Sequence, residues 1–177
     1  IDRRVLVTGC GPIGRLVTLT ARLNGAREIV VTDIVDEALD RVLAVGADRA
    51  INVARDGEAM AALAADKGSF DVMFEASGNQ AAVKSGVPAL KPRGILVQVG
   101  LGGKMELPQD MIVGREIEVR GAFRFIDEFG LAVALIGNGR ANVLPLVTQQ
   151  YELSRVVEAF DIAGDRKRAM KVQVVFG

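Results

Sequence analysis

Short apolar runs alternate along the chain with stretches in which apolar positions return every three or four residues, the pattern of β-strands joined by amphipathic helices. The first run, Val5-Leu6-Val7-Thr8, breaks into Gly9-Cys10-Gly11-Pro12-Ile13-Gly14. Ile13, Leu16, Val17, Thr20 and Leu23 then recur at helical spacing, which predicts a strand, a tight turn and a helix with one face toward a sheet. Asn24-Gly25 stops that helix. Ile29-Val30-Val31 predicts a second strand that delivers Asp33 just past its end. Asp36 is expected to cap a helix over 36–45, with Leu39, Val42 and Leu43 inward and Gly46 as its stop. A third strand is expected at 50–53 and an alanine-rich helix from Asp56-Gly57 through Ala65. A fourth strand at 70–74 runs into Glu75-Ala76-Ser77-Gly78, and a helix over 80–90 ends before Pro92. The fifth strand, 95–99, leads into Gly100-Leu101-Gly102-Gly103. Ile117-Glu118-Val119 leads the sixth to Gly121-Ala122-Phe123.

Strands that alternate with helices in this way build a parallel sheet covered by helices. Six strands in two halves predict an α/β fold, a doubly wound Rossmann sheet, over 1–123, with 124–177 as a separate C-terminal segment. In that segment Asp127 is expected to cap a helix with Phe129, Ala132, Val133 and Ile136 inward, closed by Gly137-Asn138-Gly139. Pro145 ends an irregular link, Ser154 starts a short helix carrying Val156, Val157 and Phe160, and 171–176 is one more strand. The segment is expected to pack partly on sequence outside this chain.

Composition narrows the function classes. The 177 residues are 50% hydrophobic, and Lys+Arg and Asp+Glu both number 22, so nothing suggests a nucleic-acid or anionic-membrane partner. No apolar run approaches the ~20 residues of a membrane span, and no signal peptide is expected. The one cysteine, Cys10, permits no intrachain disulfide and fits a reducing, cytoplasmic compartment. With no histidine, the chain cannot assemble a Cys/His zinc site or a histidine base by itself. It opens at Ile1, without a methionine and almost immediately before a core strand, and is expected to be an excerpt from a longer protein.

The candidate chemistry lies in the glycine turn. Gly9 lets the backbone turn, Gly11 lets the main chain approach a pyrophosphate, and Gly14 lets the helix pack closely on the strand. Pro12 fits the first helical turn, where its missing N–H costs nothing. Asp33 follows at about the 20-residue interval of a ribose-binding acid. A carboxylate there accepts hydrogen bonds from the adenosine-ribose hydroxyls and repels a 2′-phosphate. With Ile34 next to it and no arginine placed to clamp that phosphate, NAD is favoured over NADP. The bland alternatives are a ligand-free corner and a surface acid. Cys10 is either a thiol activated by the helix N-terminus or a small residue in a crowded turn, the second being favoured. Asp71 reads as turn chemistry before a strand, and Glu75 as a loop residue or one behind the site.

The motifs Val5-Leu6-Val7-Thr8-Gly9-Cys10-Gly11-Pro12-Ile13-Gly14, Phe74-Glu75-Ala76-Ser77-Gly78, Val97-Gln98-Val99-Gly100-Leu101 and Arg120-Gly121-Ala122-Phe123-Arg124-Phe125 resemble, in order and spacing, the medium-chain zinc-dependent alcohol and polyol dehydrogenases. The resemblance runs nearly end to end, and the tail is most similar to the sugar-acid and polyol branch. It implies that Ala76, Ser77 and Gly78 line the adenosine side of NAD and that Val99, Gly100 and Leu101 present backbone groups to the nicotinamide carboxamide. It also implies that Phe123 and Arg124 border the cleft. On the residues alone these are an ordinary capped loop, a sheet exit and a surface cation. Many family members carry a Lys or Arg near Ala38 that reaches the ribose; here Arg41 substitutes or the contact is absent.

The family further implies a zinc and a proton relay held by a catalytic domain outside this chain, to which 124–177 returns, and a homo-oligomer paired through the edge of the nucleotide-binding domain. The expected substrate is a small sugar acid or polyol, whose carboxylate would suit the Arg124 guanidinium. Two rivals remain, a stand-alone NAD-binding or sensing module and an S-adenosylmethionine methyltransferase. Gly14, Pro12 and the second glycine-rich strand end argue against the methyltransferase.

Overall fold

Six parallel strands, β1 (Arg4–Thr8), β2 (Glu28–Asp33), β3 (Arg49–Asn52), β4 (Phe70–Glu75), β5 (Leu90–Gln98) and β6 (Glu118–Gly121), pair in the order β3-β2-β1-β4-β5-β6. The computed structural model describes residues 1–165 and 168–176 and divides into two units, Ile1–Arg124 and Phe125–Gly177. The order reverses between β1 and β4, which makes the sheet a doubly wound one with its switch point at that pair. The strands end flush: Thr8 is in register with Thr32 and Glu75, Glu75 with Gln98, and Gln98 with Gly121.

The best-covered face of the sheet carries Leu6, Val30, Met73 and Leu96, one in-register row that is fully buried. Met60 and Leu63 of α3 (Gly57–Leu63) and Val83 of α4 (Gln80–Gly86) pack in the same core, with Phe70, Val87, Leu90 and Ile117. Each such side chain contributes about 1.5–3 kcal/mol by leaving water. Asn79 caps α4 by accepting from the Ala81 N–H at 2.8 Å. A further helix, α5 (Gln109–Gly114), is absent from the sequence pattern; its Met111 and Ile112 pack against the core's edge.

The first helix departs from expectation. α1 (Pro12–Leu23) buries Gly14, Arg15 and Thr18, whereas Ile13, Leu16 and Leu23 are exposed. Close approach at Gly14 turns the small-residue row toward β1. The apolar stripe comes to lie beside the sheet, where Ile13, Leu16 and Val17 line an open groove with Val5, Val72 and Phe74. The predicted helix over 36–45 is split into α2 (Asp36–Leu39) and a 3-10 turn, Leu43–Val45. Leu39 and Val42 are buried but Leu43 is exposed. Asp36 makes no cap; its carboxylate accepts from Asn52 Nδ2 at 2.8 Å and pairs with Arg55 at 2.9 Å.

In the second unit, α6 (Glu128–Gly137) buries none of its residues, so Phe129, Ala132, Val133 and Ile136 are not inward, and Asp127 forms no side-chain cap. A strand not predicted from sequence, β7 (Val147–Glu152), pairs in parallel with β8 (Lys171–Val175). α7 (Val156–Ala163) joins them into a small βαβ unit and buries Ala159 and Ile162, leaving Val157 and Phe160 exposed.

Asp71 is not a turn residue. It sits inside β4, almost fully buried, where Lys91 pairs with it at 2.5 Å and Arg3 at 3.1 Å, and the Arg4 N–H donates to it at 2.7 Å. Burial opposes its ionisation, but the bonds from Lys91, Arg4 and Arg3 outweigh that and hold the carboxyl down at about 2. Because the folded value lies below the unfolded one, the ion cluster stabilises the fold fully above about pH 4 and ceases to do so as pH falls through about 2. Asp71→Asn is therefore expected to cost about 2 kcal/mol at pH 7. In denaturant titrations the difference from wild type should shrink steadily between about pH 4 and pH 2.

Candidate cofactor site

The C-terminal ends of β2, β1, β4 and β5 stand side by side across the switch point, and the loops that leave them form one rim. Gly9 carries the chain out of β1 at φ +91°, its N–H donating to the Thr32 carbonyl at 2.8 Å. A Cβ there would be strained and would stand 2.7 Å from the Ser77 nitrogen. At Gly14 a Cβ would overlap the Gly9 carbonyl oxygen, so α1 crosses the turn backbone to backbone.

Gly11 caps α1 without a side-chain bond, Pro12 fills the first helical turn, and no acid stands in that turn. Gly11, Pro12 and Ile13 are exposed, and the space over Gly11 is open to 4 Å. The first-turn N–H groups have no intrahelical carbonyls, and the dipole's positive end adds to their pull on an anion. These features fit a pyrophosphate.

Asp33, half-buried at the end of β2, is tied into the turn. Its Oδ2 accepts from the Cys10 N–H at 2.6 Å, and its Oδ1 accepts from Ile34 at 2.7 Å and Val35 at 3.0 Å. Ile34 itself is exposed beside it. At the end of β4, Ala76 continues the sheet by donating to the Thr8 carbonyl at 2.8 Å, and Ser77 and Gly78 fold back over the Glu75 carboxylate. Val99 and Gly100 donate to the Glu75 carbonyl at 2.9 and 2.8 Å, and Leu101 is exposed. The turn, Asp33 and the two strand-end segments thus meet along one rim. Phe123 and Arg124 follow the end of β6, exposed, with the guanidinium 5.0 Å from the Phe123 ring centre and Arg124 at φ +60°.

Three residues of this region carry no marked periodic signal. Arg15 is 1% exposed, its Nη2 donating to the Ala38 carbonyl at 2.5 Å while its Nε has no partner among the described residues. Glu75 is fully buried and accepts from Gln98 Nε2 at 2.5 Å. A sign was available, since Thr8, Thr32, Glu75 and Gln98 are polar residues at or next to the ends of their strands, in one register row.

A family model described as zinc-binding dehydrogenase matches residues 12–138. The chain belongs to the zinc-binding dehydrogenase family. Among relatives in this family, L-idonate 5-dehydrogenase (NAD(P)(+)) of Escherichia coli K12 is 42% identical over 98% of this chain and 50% of its own length. Sorbitol dehydrogenase of Mus musculus is 35% identical over 92% and 47%. The crystal structure of the E. coli L-idonate 5-dehydrogenase superposes with a TM-score of 0.94 at 41% identity, covering 99% of this chain and 50% of that one. That of 2R,3R-butanediol dehydrogenase from Bacillus subtilis gives 0.88 at 26% identity, over 98% and 50%. The chain spans about half the length of the relatives it matches.

The residues of this zinc-binding dehydrogenase chain do not fit zinc. There is no histidine, and among the described residues no three His, Cys, Asp or Glu side chains gather into a metal site. Cys10 is buried, its thiol donating to the Ala38 carbonyl at 3.0 Å. Burial pushes that thiol up to about 11, against the opposing pull of Arg15. Cys10 is thus a small residue in a crowded turn and not an activated nucleophile. In iodoacetamide labelling at pH 8, the native chain is expected to react about 100-fold more slowly than the chain unfolded in urea.

Proposed function

We propose that this chain is the cofactor-binding half of a dehydrogenase that oxidises a secondary hydroxyl of a sugar acid or polyol, L-idonate 5-dehydrogenase-like, with NAD as the acceptor. The observation that carries this is Asp33, a carboxylate at the end of β2 hydrogen-bonded to the turn that would hold the phosphates. When bound, the nicotinamide ring supplies the site that takes up hydride. The chain's own residues bind and orient. The N–H groups of the turn, with Gly9, Gly11, Pro12, Ile13 and Gly14 shaping it, receive the pyrophosphate at the start of α1.

Asp33 has roughly four acceptor positions, of which three backbone N–H groups take three. The one left on Oδ2 accepts a ribose hydroxyl, and the negative charge disfavours a 2′-phosphate, so NAD is preferred over NADP. Ile34 lies beside that ribose. Ala76, Ser77 and Gly78 line the adenosine side, and Val99, Gly100 and Leu101 offer backbone groups to the carboxamide. Phe123 and Arg124 border the substrate end, where a guanidinium suits a sugar-acid carboxylate.

Zinc and the groups that prepare the hydroxyl belong to the rest of the parent protein, to which 124–177 returns. β6 is the last strand of the sheet and is exposed along its length, which supports a homo-oligomer paired through that edge. An unpaired cysteine supports a cytoplasmic setting.

Thermal unfolding tests the cofactor. NADH at about 100 times its dissociation constant is expected to stabilise the chain by about 2.7 kcal/mol. NADPH at the same concentration should give a smaller shift, and S-adenosylmethionine none. The chain alone should turn over neither L-idonate nor sorbitol. Equal shifts with NADH and NADPH would overturn the role of Asp33, and turnover by the metal-free chain would overturn the division of labour.

A further inference from the structure

Glu75 is a fully buried carboxylate whose hydrogen-bond partners among the described residues are all uncharged. The Ser77 N–H donates to it at 2.8 Å, the Gly78 N–H at 3.0 and 3.1 Å, and the Ser77 hydroxyl donates as well. From the neighbouring strand Gln98 Nε2 donates to Oε2 at 2.5 Å and, with the same group, to the Gly100 carbonyl at 2.8 Å. The other end of that amide, Gln98 Oε1, is buried without a partner among the described residues.

The arrangement has a direction. A carboxylate accepts and never donates, so the Gln98 amide must present its nitrogen to Glu75, even though this strands the amide oxygen. Presented that way, the nitrogen also reaches the Gly100 carbonyl and holds the segment that leaves β5. Around this clamp the two strand ends touch through backbone. A Cβ at Gly100 would stand 2.8 Å from Glu75 Oε2 and would overlap the Gly78 nitrogen. Gly9 in turn abuts Ser77.

We propose that Glu75, acting through Gln98, is a positioning residue for the nicotinamide end of the cofactor. Its charge fixes the orientation of the Gln98 amide, and the amide fixes the Gly100 carbonyl within the segment 99–101. This builds on the cofactor assignment above, in which 99–101 meets the carboxamide while Asp33 and the glycine turn hold the adenosine and phosphates.

Glu75→Gln separates this role from general support of the fold. The new side chain's oxygen still accepts from Ser77 and Gly78, but its nitrogen faces Gln98. The Gln98 amide then turns its oxygen inward, and the Gly100 carbonyl loses its donor. NADH and ADP-ribose, which lacks the nicotinamide, are titrated against the wild-type chain, Glu75→Gln and Gln98→Met, with NADH followed by its fluorescence. The last variant removes the amide and leaves the carboxylate in place.

Both variants are expected to weaken NADH about 10-fold and to leave ADP-ribose within about 2-fold, as for loss of one charge-dependent contact at one end of the ligand. The emission of bound NADH should move toward that of free NADH. Equal weakening of both ligands, or no weakening of either, in a variant that retains the wild-type circular dichroism would overturn the proposal. If Glu75→Gln does not fold, Gln98→Met decides alone by the same criterion. A wild-type chain that binds neither ligand overturns the cofactor assignment itself, and this inference with it.

Discussion

Where a parallel sheet stops, the backbone N–H groups of the next few residues lose their ladder partners, and each one buried without an acceptor costs about 1–3 kcal/mol. Two carboxylates answer for them here. Asp33 gathers the N–H groups of Cys10, Ile34 and Val35, and Glu75 gathers those of Ser77 and Gly78. A carboxylate offers about four acceptor positions, so one side chain can tie together loops that leave different strands. The shape of the rim follows from this. Gly9 turns over Ser77, Gly14 rests on Gly9, and Gly100 lies on Gly78, each contact close enough to exclude a side chain.

The sheet was legible because the central strands β1 and β2 are apolar runs closed by polar residues or glycine, and the period of the stretch between them is unmistakably helical for α1. What periodicity could not convey is which neighbour covers a stripe. In α1 the apolar row Ile13, Leu16 and Leu23 is real, yet the side that meets β1 is the row of small residues at Gly14 and Thr18. The same limit applies to Phe160 in α7, where Ala159 and Ile162 make the contact instead. Short elements were lost for a different reason. α5 is too brief to show a period, and β7 follows Pro145 with polar residues that mask its alternation.

The candidate site divides similarly. Glycines and Asp33 were readable because their spacing is imposed by a backbone shape that few other residues permit. Glu75 and Gln98 were not, since their meaning lies in a bond between residues 23 positions apart. Arg15 was equally silent; a buried guanidinium under α2 is visible only once the Ala38 carbonyl is seen to receive it. Asp71 reads as a turn residue in sequence because its partners, Lys91 and Arg3, lie far from it along the chain.

If the turn holds NAD as proposed, the three hydrogen bonds that Asp33 accepts from backbone bear on attempts to redirect it to a phosphorylated cofactor. Replacing the acid with a small neutral residue and adding a cation nearby removes the charge that disfavours the phosphate. It also removes the acceptor that holds Cys10 in the turn and orders Ile34 and Val35 at the head of the next loop. On the cofactor assignment proposed above, selectivity and architecture are carried by the same two oxygens. A redesign must supply a new acceptor for the Cys10 amide before it can exchange one cofactor for the other.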